Sequence, residues 1–472
     1  MKTTGQGSKH SLVEELSLAS LGDRRRTERY ARIVARAMEK PNEGFPTMAG
    51  SDSELEGFYR FFGNERLKLE QLLEPHYEAT VQRASVAGCA LAVHDTTYFE
   101  FGGDREGLGR LTLKGGHGFW GHFTLMADLS GHALGVMNIA HGVRQGPAKW
   151  KGSKPVKGVS DEPGARESER WVESVDAVRA RTKGKVPEVV HVMDREGDWY
   201  RLLSHLQQNE DRFVIRVSHD RALVASTSGE ATRLSGALSD LELMAEREVP
   251  LSPRGKQPRP ASAKRIHPAR EGRRAMLGIR ACSVQLRAPQ GQAPASLRVN
   301  VVHVLETNAP DGAPPVDWKL MTCEPIDTAE QVLRIVDIYR RRWVIEEYFK
   351  SLKTGCAFEK RQLESMQALL IALAVLAPVA WHLLTVRDFG RKHPNAPAKT
   401  VLTPTQLLVL QKIARRPLPA DPTANDIQFA IAALDGHLRR NGPPGWQTLG
   451  KGHYELLTAV AHYHLFRRSD QS

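Results

Sequence analysis

Four side chains on one predicted helix have the types and spacing to handle a phosphate: Tyr339, Arg342, Glu346 and Lys353. At about 100° per residue they fall within an arc of about 60°. Ile338, Ile345, Phe349 and Leu352 share a neighbouring arc. One side of the helix can therefore pack on a sheet while the side next to it presents a phenol, a guanidinium, a carboxylate and an ammonium. Two aspartates complete the set. Asp95 follows the apolar run 87–94 and Asp194 follows the apolar run 188–193, and each run reads as a buried strand with the acid at its end. Three carboxylates brought together from two strand ends and a helix would bind hard divalent cations through oxygen. A pair of such cations stabilises the attacking and leaving oxygens of an in-line phosphoryl displacement. No His or Cys cluster at zinc spacing competes with this. The expected metals are two Mg²⁺ or Mn²⁺ ions per site, held by Asp95, Asp194 and Glu346. Arg342 and Lys353 would neutralise phosphate oxygens.

Bringing these acids together requires a sheet. After the run 87–94 the sequence predicts a hairpin over 121–128 and 133–140, with Ser-Gly in its turn. A helix at 164–182, the strand 188–193, a helix at 197–208 and a strand at 212–217 follow. That order gives an α/β class with an RNase H-like core, in which antiparallel strands lead into a parallel portion. Strand-like runs at 276–287, 297–305 and 318–323 flank a Pro-rich basic stretch, 253–274, which reads as a loop that could track a phosphate backbone. They predict a β-rich insertion at about 218–330 that interrupts the catalytic core. One long helix is expected over 331–355 and an apolar helix over 364–386. Residues 366–384 are as long as a membrane span, but Gln367, Pro378 and His382 interrupt them and no second span accompanies them. They read as a helix buried in a large core, with no membrane involved.

The N-terminal stretch predicts two helices within 10–40, the second capped by Asp23 and carrying Arg25, Arg26 and Arg29, then a short helix over 51–63. The division that results is a helical DNA-binding domain (1–68), a catalytic domain (69–387) and a helical C-terminal domain (388–472), the last a candidate dimerisation unit. A net charge of +12 over 472 residues favours a polyanionic partner. Cys89, Cys282, Cys323 and Cys356 form no CxxC pair and read as reduced, mostly buried thiols. The N-terminus has no apolar signal core. Both points lead to the expectation of a cytoplasmic protein.

The spacing of Tyr339, Arg342, Glu346 and Lys353, with Asp95-Thr96-Thr97 and Asp194-Arg195-Glu196-Gly197-Asp198, resembles the insertion-sequence-four family of bacterial DDE transposases, and within it the Tn-five-like branch. Leu21-Gly22-Asp23 with Arg25-Arg26-Thr27 is similar to that family's DNA-binding start, and Val401 to Pro404 and Trp446 also match its text. The resemblance implies cut-and-paste transposition by a nucleoid-associated enzyme. Terminal inverted repeats are bound, water nicks one strand, the freed 3′-hydroxyl attacks the opposite strand to form a hairpin, water reopens it, and the 3′ ends join target DNA. It implies double-stranded DNA as partner and a homodimer in the synaptic complex. Trp318 stands where a tryptophan holds a flipped base in one branch of the family, and Arg216 matches a DNA-contacting arginine. Ser218 departs from a family lysine. Two other readings stay open: a structure-selective nuclease on the same fold that never joins strands, and a DNA-binding regulator of transposition.

Overall fold

The computed structural model describes residues 12–103, 105–111, 116–143, 168–224, 232–239, 241–251 and 270–469. Most of the basic segment 253–274 lies outside them. The chain opens with four helices, α1 (Leu12–Leu16), α2 (Arg24–Glu39), α3 (Phe45–Met48) and α4 (Asp52–Phe62), followed by the long α5 (Leu69–Ala87). The Asp23 carboxylate accepts from Arg25 N and starts α2, as the capping signal predicts. Tyr30, Ile33, Val34 and Ala37 form the buried stripe of α2, while Arg25 and Arg29 lie on its exposed side.

The sheet has ten strands: β1 (Cys89–Phe101), β2 (Gly109–Arg110), β3 (His117–Asp128), β4 (Ala133–Gly142), β5 (Glu188–Met193), β6 (Arg212–Arg216), β7 (Ala245–Leu251), β8 (Arg273–Arg287), β9 (Ser296–Glu306) and β10 (Asp317–Thr322). The catalytic half runs β4-β3-β1-β5-β6, antiparallel across β4, β3 and β1 and parallel across β1, β5 and β6. This is the RNase H-like arrangement expected from the element order. The crossovers carry α6 (Glu169–Thr182) and α7 (Tyr200–Gln208).

The β-rich insertion expected at about 218–330 is built into the sheet. After the four-residue helix α8 (Leu234–Ala237), β10 pairs antiparallel with β6, and β9, β8 and β7 continue the same sheet outward. These strands bury Ile279, Val301, Val302, Val304 and Leu320. Two expectations are corrected here. The helix expected over 331–355 is not continuous. It is α9 (Ala329–Arg341), a joint at Arg342, α10 (Trp343–Lys350) and a wide π turn over Ser351–Gly355. Second, of the cysteines only Cys356 is buried.

Helix α11 (Met366–Lys392) is the membrane-length stretch, and it lies inside the protein, with 72% of its apolar window buried. Pro378 lacks the N–H that would bond Ala374 O, four residues back. The buried Tyr30 hydroxyl donates to that carbonyl at 3.4 Å. Tyr348 and Ser351 donate to Ala377 O and Ala380 O on the same helix, so the glutamate-bearing segment is moored to α11 by polar as well as apolar contacts. Beyond it, α12 (Pro404–Ile413), α13 (Ala424–Leu434) and α14 (Trp446–Ser469) gather around a separate core of Leu410, Ile427, Ile431 and Leu456.

Candidate active site

Asp95 does not end its strand. β1 runs six residues further because Thr97, Phe99 and Phe101 alternate inward and β3 pairs with it as far as Phe101. What ends near Asp95 is the parallel pairing, whose last rung is His94 against Met193. Asp95 and Asp194 are thus the next positions on two adjacent parallel strands, about 4.8 Å apart in the hydrogen-bonding direction. Asp194 sits just past β5 and accepts from Glu196 N at 2.8 Å, capping a single 3₁₀ turn. Asp95 accepts from Thr96 N at 2.8 Å.

Glu346 comes from the first turn of α10, which lies over this end of the sheet with Tyr348 and Phe349 packed on Phe123. Arg342, at the joint before it, donates to Asp95 Oδ2 at 2.9 Å and to Glu346 Oε1 at 2.7 Å. Burial raises the Asp95 carboxyl, the neighbouring Asp194 charge raises it further, Arg342 offsets part of this and Glu346 adds to it; the result is about 7. Burial disfavours the Arg342 charge, but Asp95, Tyr339 and Glu346 more than compensate and hold the guanidinium cationic. All three carboxylates therefore lie within electrostatic reach of one another around a single cation.

The donor set is all oxygen and carries excess negative charge, which fits a hard divalent cation. Among the described residues, however, no group of three or more His, Cys, Asp and Glu side chains is gathered closely enough to hold a metal ion. Arg342 lies between Asp95 and Glu346, with each acid on its own nitrogen. Its partners here are the acids.

Lys353 also turns elsewhere. On the π turn its ammonium donates to Tyr98 O, pairs with Glu359 at 3.3 Å and lies over the Phe99 ring. Trp318 on β10 meets Tyr339 edge-on at 5.6 Å, and the Arg216 guanidinium lies 5.9 Å from the indole centre. Tyr339 is buried, which raises its hydroxyl pKa, and it feels the charges of Arg342, Arg216 and Asp194. The trio thus sits beside the acids. Arg25, Arg26 and Arg29 are on α2 in the N-terminal unit; Arg26 donates to Leu21 O while Arg25 and Arg29 face solvent.

Residues 9–67 match the family model described as transposase DNA-binding, and residues 159–379 match the model of the transposase DDE domain. Both matched models describe parts of DDE transposases, and they support DNA as the partner and DNA cleavage and transfer as the class of chemistry. The DDE match contains Asp194 and Glu346 and begins after Asp95, which the β1–β5 register sets beside Asp194. Domains of this class generally use divalent metal ions.

Sequence reasoning missed three contributors. Asp198, the last letter of the Asp194 block, is buried and structural: it takes Arg221, Ser218 N and His219 N. Ser218, which departs from the family lysine, serves that anchor. Arg170 joins the Thr96 hydroxyl on β1 to the Glu196 carboxylate after β5. Nothing in the periodicity of 164–182 marked Arg170, because a lone arginine on an amphipathic helix reads as a surface group.

Proposed function

We propose that the chain is a cut-and-paste DNA transposase of the insertion-sequence-four type, with Asp95, Asp194 and Glu346 as its metal-holding acids. The observation that supports this reading is the adjacency of Asp95 and Asp194 on neighbouring parallel strands, with the Glu346 charge acting on the same carboxyl. A bound pair of Mg²⁺ or Mn²⁺ ions would supply Lewis-acid stabilisation of the attacking and leaving oxygens. Asp95 and Asp194 hold fixed positions because each accepts from a nearby backbone N–H, Thr96 on β1 and Glu196 in the turn after β5. Glu346 lies on a helix moored to α11 and closes the site from above. Arg342 exchanges its carboxylate partners for phosphate oxygens when the acids take another cation, and Lys353 steadies the strand alongside. Trp318, Tyr339 and Arg216 offer one aromatic and cationic surface for an unstacked base, the step that hairpin formation needs. The α2 arginines bind the transposon ends, and two copies act together, with the C-terminal helices as their interface.

Asp95→Ala, Asp194→Ala and Glu346→Ala are each expected to abolish Mg²⁺-dependent nicking of end-bearing duplexes while leaving gel-shift binding within a few fold. Full cleavage by any of the three sinks the assignment. Joining of pre-cut ends bearing a 3′-hydroxyl separates a transposase from a nuclease that only cuts, and nicking without joining would favour the latter.

A further inference from the structure

Behind the two aspartates, on the opposite face of the sheet, one guanidinium ties their supports together. Arg170, in the first turn of α6, is 6% exposed. Its Nε donates to Thr96 Oγ1 at 3.1 Å and its Nη2 to Glu196 Oε2 at 3.2 Å. Thr96 is the residue whose N–H holds the Asp95 carboxylate, and Glu196 is the residue whose N–H holds the Asp194 carboxylate. The arrangement is symmetrical: each acid is oriented by one backbone N–H, and both residues that supply those N–H groups are held by the same planar fork. The lower end is fixed too. His122 Nδ1 lies 2.8 Å from Thr96 Oγ1, His122 packs edge-on against Trp171, and the Arg170 guanidinium lies 5.3 Å from the Trp120 ring centre.

We infer that Arg170 is a positioning residue that sets the separation and orientation of the Asp95 and Asp194 carboxylates for divalent-cation binding. The inference rests on the assignment of those acids as metal-holding. Arg170 acts through Thr96 and Glu196. A buried guanidinium is costly to desolvate and is retained where its geometry is used. Here a rigid fork links β1 just past Asp95 to the turn after β5, beyond the last parallel rung at His94 and Met193. A lysine cannot replace it, since one ammonium does not present two donors in fixed directions. Outer partners of this kind typically change metal affinity about 10–100-fold when removed.

The test is Mn²⁺ binding to the full-length protein, followed by the loss of the free-ion electron paramagnetic resonance signal, with thermal melting of every variant. Wild type, Arg170→Lys, Arg170→Gln, Thr96→Val and Asp95→Asn/Asp194→Asn are compared. Both Arg170 variants and Thr96→Val are expected to weaken Mn²⁺ binding about tenfold or more, and the double aspartate variant to abolish it. Thr96→Val keeps the side-chain shape and removes only the hydroxyl, so it reports on the clamp even if the Arg170 variants fold poorly. Wild-type affinity in folded Arg170→Lys or in Thr96→Val overturns the clamp. Unchanged binding by the double aspartate variant overturns the acid assignment instead.

Discussion

Arg342 shows how one side chain can serve a site in two ways. Its pairs with Asp95 and Glu346 neutralise carboxylates that would otherwise repel one another, and the same fork suits a phosphate. Behind these acids the sheet buries three histidines, His94, His122 and His191, with His94 Nε2 and His191 Nδ1 2.8 Å apart. Burial holds all three down. For His191 the result is about 4; besides burial, Asp211 and Asp176 raise it, and Arg179 and His205 lower it. The folded form thus binds a proton less readily than the unfolded chain, whose histidine titrates near 6.5. Stability from this group is present above pH about 6.5 and is lost as pH falls from there toward 4, by at most about 3 kcal/mol. Urea titrations from pH 7 to pH 4 are expected to show a shallower decline for His191→Gln than for wild type, even though the variant starts lower. An identical slope would mean that His191 contributes nothing to acid sensitivity.

At the scale of elements, the unusual features cluster at the site. The Arg342 joint breaks the helix where the guanidinium turns toward Asp95, and the π turn over Ser351–Gly355 brings Lys353 to Tyr98 O. Wide turns of this sort commonly mark functional positions. β1 is held straight past Asp95 by its pairing with β3, and Gly118 makes that close approach possible. A Cβ at Gly118 would collide with the Phe99 carbonyl oxygen and come within 2.7 Å of Leu111 Cδ1. Backbone cannot yield as a side chain can, so Gly118→Ala is expected to lower stability by about 2 kcal/mol or more. Chemical denaturation measures this. A midpoint equal to wild type would show that the β1–β3 edge has slack.

At the scale of the whole molecule, the N-terminal DNA-binding unit is not a detachable module. Its buried Tyr30, Phe58, Phe61 and Phe62 belong to the same core as Val93, Tyr339 and α11. Arg361, nearly fully buried, donates to Pro41 O and Cys356 O and lies over the Phe45 ring, tying the loop after α2 to the end of the π turn. Removing residues 1–68 would uncover the apolar faces of α5 and α11. The fragment 69–472 is therefore expected to aggregate or to melt well below the full chain. A soluble fragment with the full chain's melting temperature would show that the shared core is dispensable. The same continuity joins α2, whose arginines we propose bind the transposon ends, to the core that carries the acids.

The sequence by itself determined what local pattern and spacing can carry. The apolar run 188–193 placed β5, Asp23 marked the start of α2, and the Tyr339–Lys353 spacing identified the helix segment that carries Glu346. It also determined the order of strands and helices, and with that the RNase H-like core. Only the tertiary structure decided how far β1 runs past Asp95, that β7 to β10 extend the catalytic sheet, that Arg342 lies between the acids, and that Arg170 joins Thr96 to Glu196. The physical reason is range. Periodicity and capping depend on neighbours within a few residues, whereas register, burial of a lone arginine and the pairing of distant charges depend on which strands lie side by side, and this is set by the packing of the whole core.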